Sequence, residues 1–592
     1  MRILLLAHSF NSLTQRLWIE LAAAGHELSV EFDVHDGVTE EAVALFRPDL
    51  VVAPFLKRRI PESVWRRHRC LVIHPGIRGD RGPSALDWAI LDGATEWGVT
   101  VLEANGEMDA GDVWAERRFP MREAAKGSLY RNEVTEAAVA ALAEALARIE
   151  RGESPAPLDY ADPSVRGRAR PPMRQVDRAI DWRADDTTTV LRKIRAADGA
   201  PGVLDDVRGL RAYLYDAHRE TAQRFAGAAP GDVVAQRRGA ILRATIDGAV
   251  WITHLRCAEP GAFKLPAARV LADRLAGVPD LPLAPEAVVD GDTWQPIRYA
   301  ERDGVGWLAF AFYNGAMGTA QCEELRAAFR YATTRPTRVI VLAGGPDYWS
   351  NGIHLNLIED SEHPAEESWR NINAMDDLVR DILVADRHLT IAAMRGNAGA
   401  GGAFLALAAD RVFARDGVVL NPHYRSMGNL YGSEYWTYLL PRRVAPDRAR
   451  AIVQNRLPMG ARAAAAVGLV DACFGATPAA FAAEVDARAH ALADDPGFAA
   501  LIAAKRSRRA ADEAAKPLSA YRVEELARMR ENFFGFDPSY HVARQHFVAK
   551  VPRSRTPLWL ARHRGPRAGA AGGGRGPLLA PSQPVAATAV EP

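Results

Sequence analysis

Short apolar runs alternate with amphipathic stretches at the start of the chain. Ile3 to Ala7 is continuously apolar, as expected of a strand buried on both faces. Leu13 to Ala24 carries its apolar residues at helical spacing, and Glu27 to Phe32 reads as a second strand. Leu50 to Ala53 and Cys70 to Ile73 follow as further short buried strands. Strands and helices in alternation predict a parallel sheet covered on both faces. Ligands of such sheets lie at the carboxyl ends of the strands.

Between Pro155 and Pro172 the chain turns rich in Pro, Arg and Asp, which predicts a linker. Ala179 to Leu275 is mixed, and GDVVAQ, ILRATID and AVWITHL in its second half predict a small β-rich domain. A Pro-rich acidic linker, VPDLPLAPEAVVDGD, comes next. From Trp294 a new α/β pattern begins, with GVGWLAFAF, RVIVLAG, TIAAM and DRVFA as strands, and residues 476–544 read as almost wholly helical. The last segment is Gly-, Ala- and Pro-rich and is expected to be a disordered tail. A chain of 592 residues needs more than one core. The expected units are 1–165, 166–285 and 286–565, with the tail at 566–592.

Charge narrows the partners. Lys plus Arg (74) nearly cancels Asp plus Glu (73), so no net field draws nucleic acid or an anionic membrane. Small molecules are the expected partners. Cys70, Cys257, Cys322 and Cys473 are scattered and form no CxxC, a reduced-cytosol pattern with no metal site. The opening MRILLLAHSF is too short for a signal peptide, and no apolar run is long enough to span a bilayer. A cytoplasmic location is expected.

The first chemical constellation runs Val72-Ile-His74-Pro-Gly, Gly82-Pro-Ser, Leu86-Asp-Trp-Ala-Ile, Gly98-Val-Thr-Val and Glu107-Met-Asp109-Ala-Gly-Asp112. It resembles the folate-dependent formyltransferases, methionyl-tRNA formyltransferase above all. The resemblance implies a Rossmann-like domain using N10-formyl-tetrahydrofolate, with His74 relaying a proton and Asp109 orienting it. It also places the pterin against Pro54, Leu56 and Lys57. The sequence departs at Val72, where the family has a catalytic Asn that steadies the oxyanion. Another group replaces that Asn, or the formyl acceptor is more nucleophilic than an amine, as a thiolate is. Ala179-Ile-Asp-Trp182, Ile194-Arg-Ala and Pro201-Gly resemble the family's C-terminal, OB-like domain. That domain grips tRNA in the relatives; here it lacks a dense basic run with aromatics and is read as structural.

The second constellation is VIVLAGGPDYWSNGIHL from Val339, then Arg395-Gly-Asn-Ala-Gly-Ala-Gly401-Gly402-Ala-Phe404-Leu, closing with Gly460, Ala463 and Gly468-Leu-Val-Asp471. It resembles the enoyl-CoA hydratase/isomerase (crotonase) superfamily, whose paired backbone amides stabilise a thioester oxyanion. The resemblance puts those amides at Ile353 and Gly401. It implies coenzyme A contacts at Ala316, Ser350, Asn351, Gly402, Phe547 and Lys550. The two hydratase glutamates are replaced by Phe404 and His423, which removes the general acid/base pair for adding water. In their place stands a polar run, His423-Tyr424 and then Tyr431-Gly-Ser433-Glu434-Tyr435-Trp436. His423, Tyr431 and Glu434 form a replacement acid/base set, or the run is a helix start capped by Ser433 with its aromatics in the core.

A formyltransferase fused to a crotonase-like module resembles the HoxX-type hydrogenase maturation factors. That resemblance implies carbon monoxide synthesis for the [NiFe] site: formyl passes from the folate to coenzyme A, and formyl-CoA then loses CO. Hydrogenase maturation proteins are the implied protein partners. Two rivals remain open: an enzyme that stops at formyl-CoA or formate, and a non-catalytic maturation scaffold.

Overall fold

The computed structural model describes residues 1–565 apart from 224 and 226, so the tail expected at 566–592 lies outside the described residues. Strands β1 (Arg2–Ala7), β2 (Glu27–Phe32), β3 (Leu50–Phe55), β4 (Cys70–His74), β5 (Glu96–Glu103) and β6 (Val113–Pro120) form one sheet in the order β2-β1-β3-β4-β5-β6. The first four run parallel, as the alternation of strands and helices predicts. β5 and β6 are antiparallel, which the expected all-parallel sheet did not include. Their hairpin carries Asp109 back beside the end of β4.

The predicted linker is not free. Residues 156–171 lie along the first domain: the Gly167 amide donates to Arg78 O (3.1 Å), Arg170 N to Arg81 O (2.9 Å) and the Trp88 indole to Pro171 O (2.9 Å). The middle unit is an antiparallel sheet in which Val203–Val207, Leu210–Glu220, Ala249–Cys257, Ala240–Ala244 and Val233–Arg237 are neighbours in that order. The third unit has two layers. Ile297–Arg302, Val305–Phe310, Val339–Ala343, Leu389–Met394, Arg411–Arg415 and Ala472–Phe474 form the larger sheet, and Tyr348–Ser350, Asn397–Gly399, Val419–Asn421 and Met459–Gly460 the smaller. Helices Pro478–Ala493, Phe498–Ala515, Leu518–Phe534 and Ser539–Val548 make up the expected helical end. Among the described residues no helix is long and apolar enough to cross a membrane.

After those helices the chain returns to the first domain. β2 is an edge strand, and the Val30 and Phe32 amides donate to Leu560 O (3.1 Å) and Thr556 Oγ1 (2.7 Å). Beneath this strap the buried Glu31 accepts from Thr556 Oγ1, His563 Nε2 (2.9 Å) and Arg564 Nε (2.9 Å). Burial alone would raise the Glu31 pKa, but these donors outweigh it and hold the carboxyl below its ordinary value. Such a group stabilises the fold above its unfolded pKa, and the contribution disappears as pH falls through the folded one. Glu31→Gln should therefore lower the melting temperature at neutral pH, with a loss of about 1–3 kcal/mol. Thermal melts across acid pH should show the gap to wild type closing.

Candidate active sites

His74 ends β4 and is buried. Its Nε2 lies 3.0 Å from Asp80 Oδ1, a hydrogen bond to a carboxylate that is itself buried. Its Nδ1 lies 3.6 Å from Asp109 Oδ2, longer than a hydrogen bond. Asp109 sits at φ 55° and accepts from the Gly82 amide at 3.2 Å. The carboxylate within hydrogen-bond distance of the ring is thus Asp80, outside the motif, and Asp109 flanks the ring on its other side. Position 76 admits only glycine, since a Cβ there would lie 2.4 Å from His74 Nε2 and 2.8 Å from Asp80 Oδ1.

Val72 shares the His74 face of β4 by the two-residue repeat of a strand. It packs in an apolar cluster with Leu56, and a valine supplies no side-chain oxyanion donor. Pro54 is the penultimate residue of β3, before Phe55, and the Lys57 amide donates to Asp33 Oδ2 (3.3 Å), whose Oδ1 meets His8 Nδ1 at 3.0 Å. His8, Asp33 and Lys57 therefore meet at the carboxyl ends of three neighbouring parallel strands, where such sheets bind ligands.

In the third unit, Gly352 and Gly401 bring two turns together: a Cβ on Gly352 would lie 3.3 Å from the Gly401 nitrogen. The amides of Ile353 and Gly401 have no acceptor among the described residues. Ala400, just before Gly401, is held at φ 47°, a conformation that costs an alanine energy and leaves the next amide free. Ser350 and Asn351 serve the same turn from within: Ser350 Oγ accepts the Gly352 amide (3.1 Å), and Asn351 Nδ2 donates to Asn314 O (2.8 Å). Gly402 O accepts the Trp349 indole at 2.9 Å, and Ala316 N bonds Tyr313 O at 3.3 Å.

Glu434 reaches this turn. A methyl on Gly401 would come 2.1 Å from Glu434 Oε1, and Glu434 Oε2 accepts the Tyr424 hydroxyl at 2.5 Å. Phe404, in the place of a hydratase glutamate, stacks on Tyr424 at 5.4 Å between centroids. A carboxyl from a later loop thus stands beside this turn, bonded to a tyrosine on which the phenylalanine stacks. Burial and the neighbouring Asp376 raise the Glu434 pKa, against the pull of the Tyr424 bond, so it holds its proton around neutral pH.

Two expected members stand apart from that pair. Tyr431 is partly exposed, its ring packs on Trp436 (5.3 Å) and its amide bonds Asn532 (3.0 Å). Tyr424, not Tyr431, is the tyrosine that bonds Glu434, and Tyr431→Phe should leave turnover within about twofold of wild type, as surface changes generally do; steady-state assays check this. His423 is buried with neither ring nitrogen bonded among the described residues, and burial, with Arg456 nearby, pulls its pKa down to about 4. It is a neutral imidazole with no bond to Glu434. The alternative of a Ser433 helix cap is not what forms, because Ser433 Oγ donates to Asp376.

The three units meet around these turns. Asp347, one residue before the strand leading to the Ile353 turn, accepts Ser128 Oγ (2.6 Å), Asn132 Nδ2 (3.0 Å) and Arg131 Nη2 (3.1 Å) from the first domain. Lys264 of the middle unit donates to Tyr313 (2.9 Å) of the third. Burial, with Lys550 nearby, pulls the Lys264 pKa down to about 8 against the attraction of Asp198. Lys550 lies over the half-exposed Phe547 at 4.2 Å and has no carboxylate partner among the described residues. Two neighbouring cations suit a phosphorylated ligand.

These features define a formyltransferase joined through an OB-like domain to a crotonase-type module. Family models agree: formyl transferase over residues 26–146, its C-terminal domain over 172–265, and enoyl-CoA hydratase/isomerase over 313–534. The chain belongs to the HoxX family of hydrogenase maturation factors. It is 59% identical to hydrogenase maturation factor HoxX of Bradyrhizobium diazoefficiens, over 95% of this chain and 97% of that one. The crystal structure of HypX from Aquifex aeolicus in complex with tetrahydrofolic acid is 50% identical and superimposes with a TM-score of 0.93, covering 96% of this chain and 99% of that one. Methionyl-tRNA formyltransferase of Carboxydothermus hydrogenoformans is 25% identical over 38% of this chain and 71% of its own length.

Proposed function

We propose that this protein makes carbon monoxide for the active-site iron of [NiFe]-hydrogenase, taking the carbon from N10-formyl-tetrahydrofolate by way of coenzyme A. The observation that carries the reading is the Glu434–Tyr424 pair against the Gly401 turn, in a module without its hydratase glutamates. Family membership and the tetrahydrofolate bound to the Aquifex relative support the first half.

In the first step His74 takes the thiol proton of coenzyme A and returns it to N10, while the C–S bond forms and the C–N bond breaks. Asp80 fixes the ring through its 3.0 Å bond. A sulfur nucleophile suits a wall where Val72 stands in place of the amide donor. Lys264 and Lys550 would hold the phosphates, with Phe547 beside them. In the second step the amides of Ile353 and Gly401 polarise the thioester carbonyl. Glu434 gives its proton to the departing sulfur and accepts the formyl hydrogen, so C–S and C–H break, S–H forms and CO leaves. The thiol and the protonated carboxyl are both restored. Reduced folate and coenzyme A are cytoplasmic, and so is the proposed reaction, with maturation proteins receiving the CO.

The test is incubation of purified protein with N10-formyl-tetrahydrofolate and coenzyme A, reading headspace CO with a haem reporter. CO should require both substrates. Free formyl-CoA or formate as the sole product would favour a simple formyltransferase, and no folate consumption would favour a scaffold.

A further inference from the structure

Glu434 reaches Gly401 by an unusual backbone. Glu434 and Tyr435 are consecutive non-glycine residues in the left-handed region, at φ 62° and 58°. Each is strained there, and such strain persists only where the surroundings impose it. Two buried carboxylates impose it here, from two separate helices. Asp376, on Pro364–Val384, accepts the Glu434 amide at 2.8 Å and the Ser433 hydroxyl at 2.8 and 2.7 Å. Glu525, on Leu518–Phe534, accepts the amides of Tyr435 (2.9 Å) and Thr437 (2.8 Å) and the Thr437 hydroxyl.

Both carboxylates are 0% exposed. The nearest cation to Asp376 is Arg522 Nε at 3.7 Å, and that guanidinium is engaged with Asp377 at 2.6 Å. Burial raises the Asp376 pKa to about 6 and that of Glu525 to about 8, so burying these acids is costly to the fold, which points to use rather than to stability.

We propose that Asp376 and Glu525 are positioning residues that hold Glu434 against the Gly401 turn. The proposal rests on the reading of Glu434 as proton donor. The groups around Glu434 are Tyr424 from the preceding loop, Asp376 with Asp377 and Arg380 behind it, Glu525 with Arg522, and the buried Cys322 thiol. No cation hydrogen-bonds Glu434 among the described residues. Burial raises its pKa first and Asp376 second, so a neutral side chain at 376 lowers it.

The experiment compares wild type, D376N, E525Q and E434Q, each as the full chain with N10-formyl-tetrahydrofolate and coenzyme A. CO release and folate consumption are read from about pH 6 to 10. Wild-type CO release should fall on the alkaline side as Glu434 loses its proton. D376N should move that limb down by about one pH unit. E525Q should lower kcat for CO release by about tenfold or more, with KM for coenzyme A unchanged. Folate consumption should persist in both. A purely structural role predicts rates that follow the folded fraction, with an unmoved limb and parallel loss at both sites. If D376N loses folate consumption as well, it has misfolded, and the kcat–KM split of E525Q decides. An inactive E434Q beside wild-type behaviour in D376N and E525Q overturns this inference alone. Normal CO release by E434Q overturns the reading on which it rests.

Discussion

Glu434→Gln should cut CO release by about 10²- to 10⁴-fold, the usual loss for one acid–base group, while N10-formyl-tetrahydrofolate is still consumed. The substitution keeps side-chain volume, so the packing against Gly401 and the stack of Phe404 on Tyr424 survive. What it removes is the titrating proton. The amide can still accept from Tyr424, so the local geometry persists without the chemistry. Folate consumption continues because His74 and Asp80 belong to the other domain. Headspace CO and folate absorbance, followed in one reaction, separate the two steps. Equal loss of both signals would mean that Glu434 supports the fold rather than the second step.

His74→Ala should abolish folate consumption, and with it all CO, by about 10²- to 10⁴-fold. Asp80→Asn should approach the same loss, because it can leave the His74 ring with the wrong nitrogen protonated even though the contact distance is kept. Asp109→Ala is expected to be milder than Asp80→Asn, since its oxygen stands 3.6 Å from the ring and holds the Gly82 amide instead. Single-turnover folate assays rank the three. A greater loss in Asp109→Ala than in Asp80→Asn would reverse the roles inferred from distance.

Both modules were legible in the sequence because their chemistry rests on local strings. The run from Val72 to Asp112 and the Gly-rich turn at 396–402 each carry turn, donor and flanking strand within a few residues. What the sequence concealed comes from long-range geometry. Asp80 has no motif of its own, and its contact with His74 depends on a loop bound by residues 167–170, which read as a linker. Tyr431 and Tyr424 look equivalent along the chain. The choice between them is made by the positive φ at Glu434 and Tyr435, imposed by acids some 58 and 90 residues away. The strap from Thr556 to Arg564 has no periodic apolar pattern of its own, and its contacts with β2 join residues more than 500 positions apart. β5 is buried along most of its length like β4 beside it, and nothing in that pattern fixes its direction.

The most direct measurement follows the carbon. Supplied with tetrahydrofolate labelled with ¹³C at the formyl group and a catalytic amount of coenzyme A, the protein should release ¹³CO in amounts matching the folate consumed, with the thiol regenerated. Label accumulating only in formate or formyl-CoA, or CO that carries no label, would contradict the account.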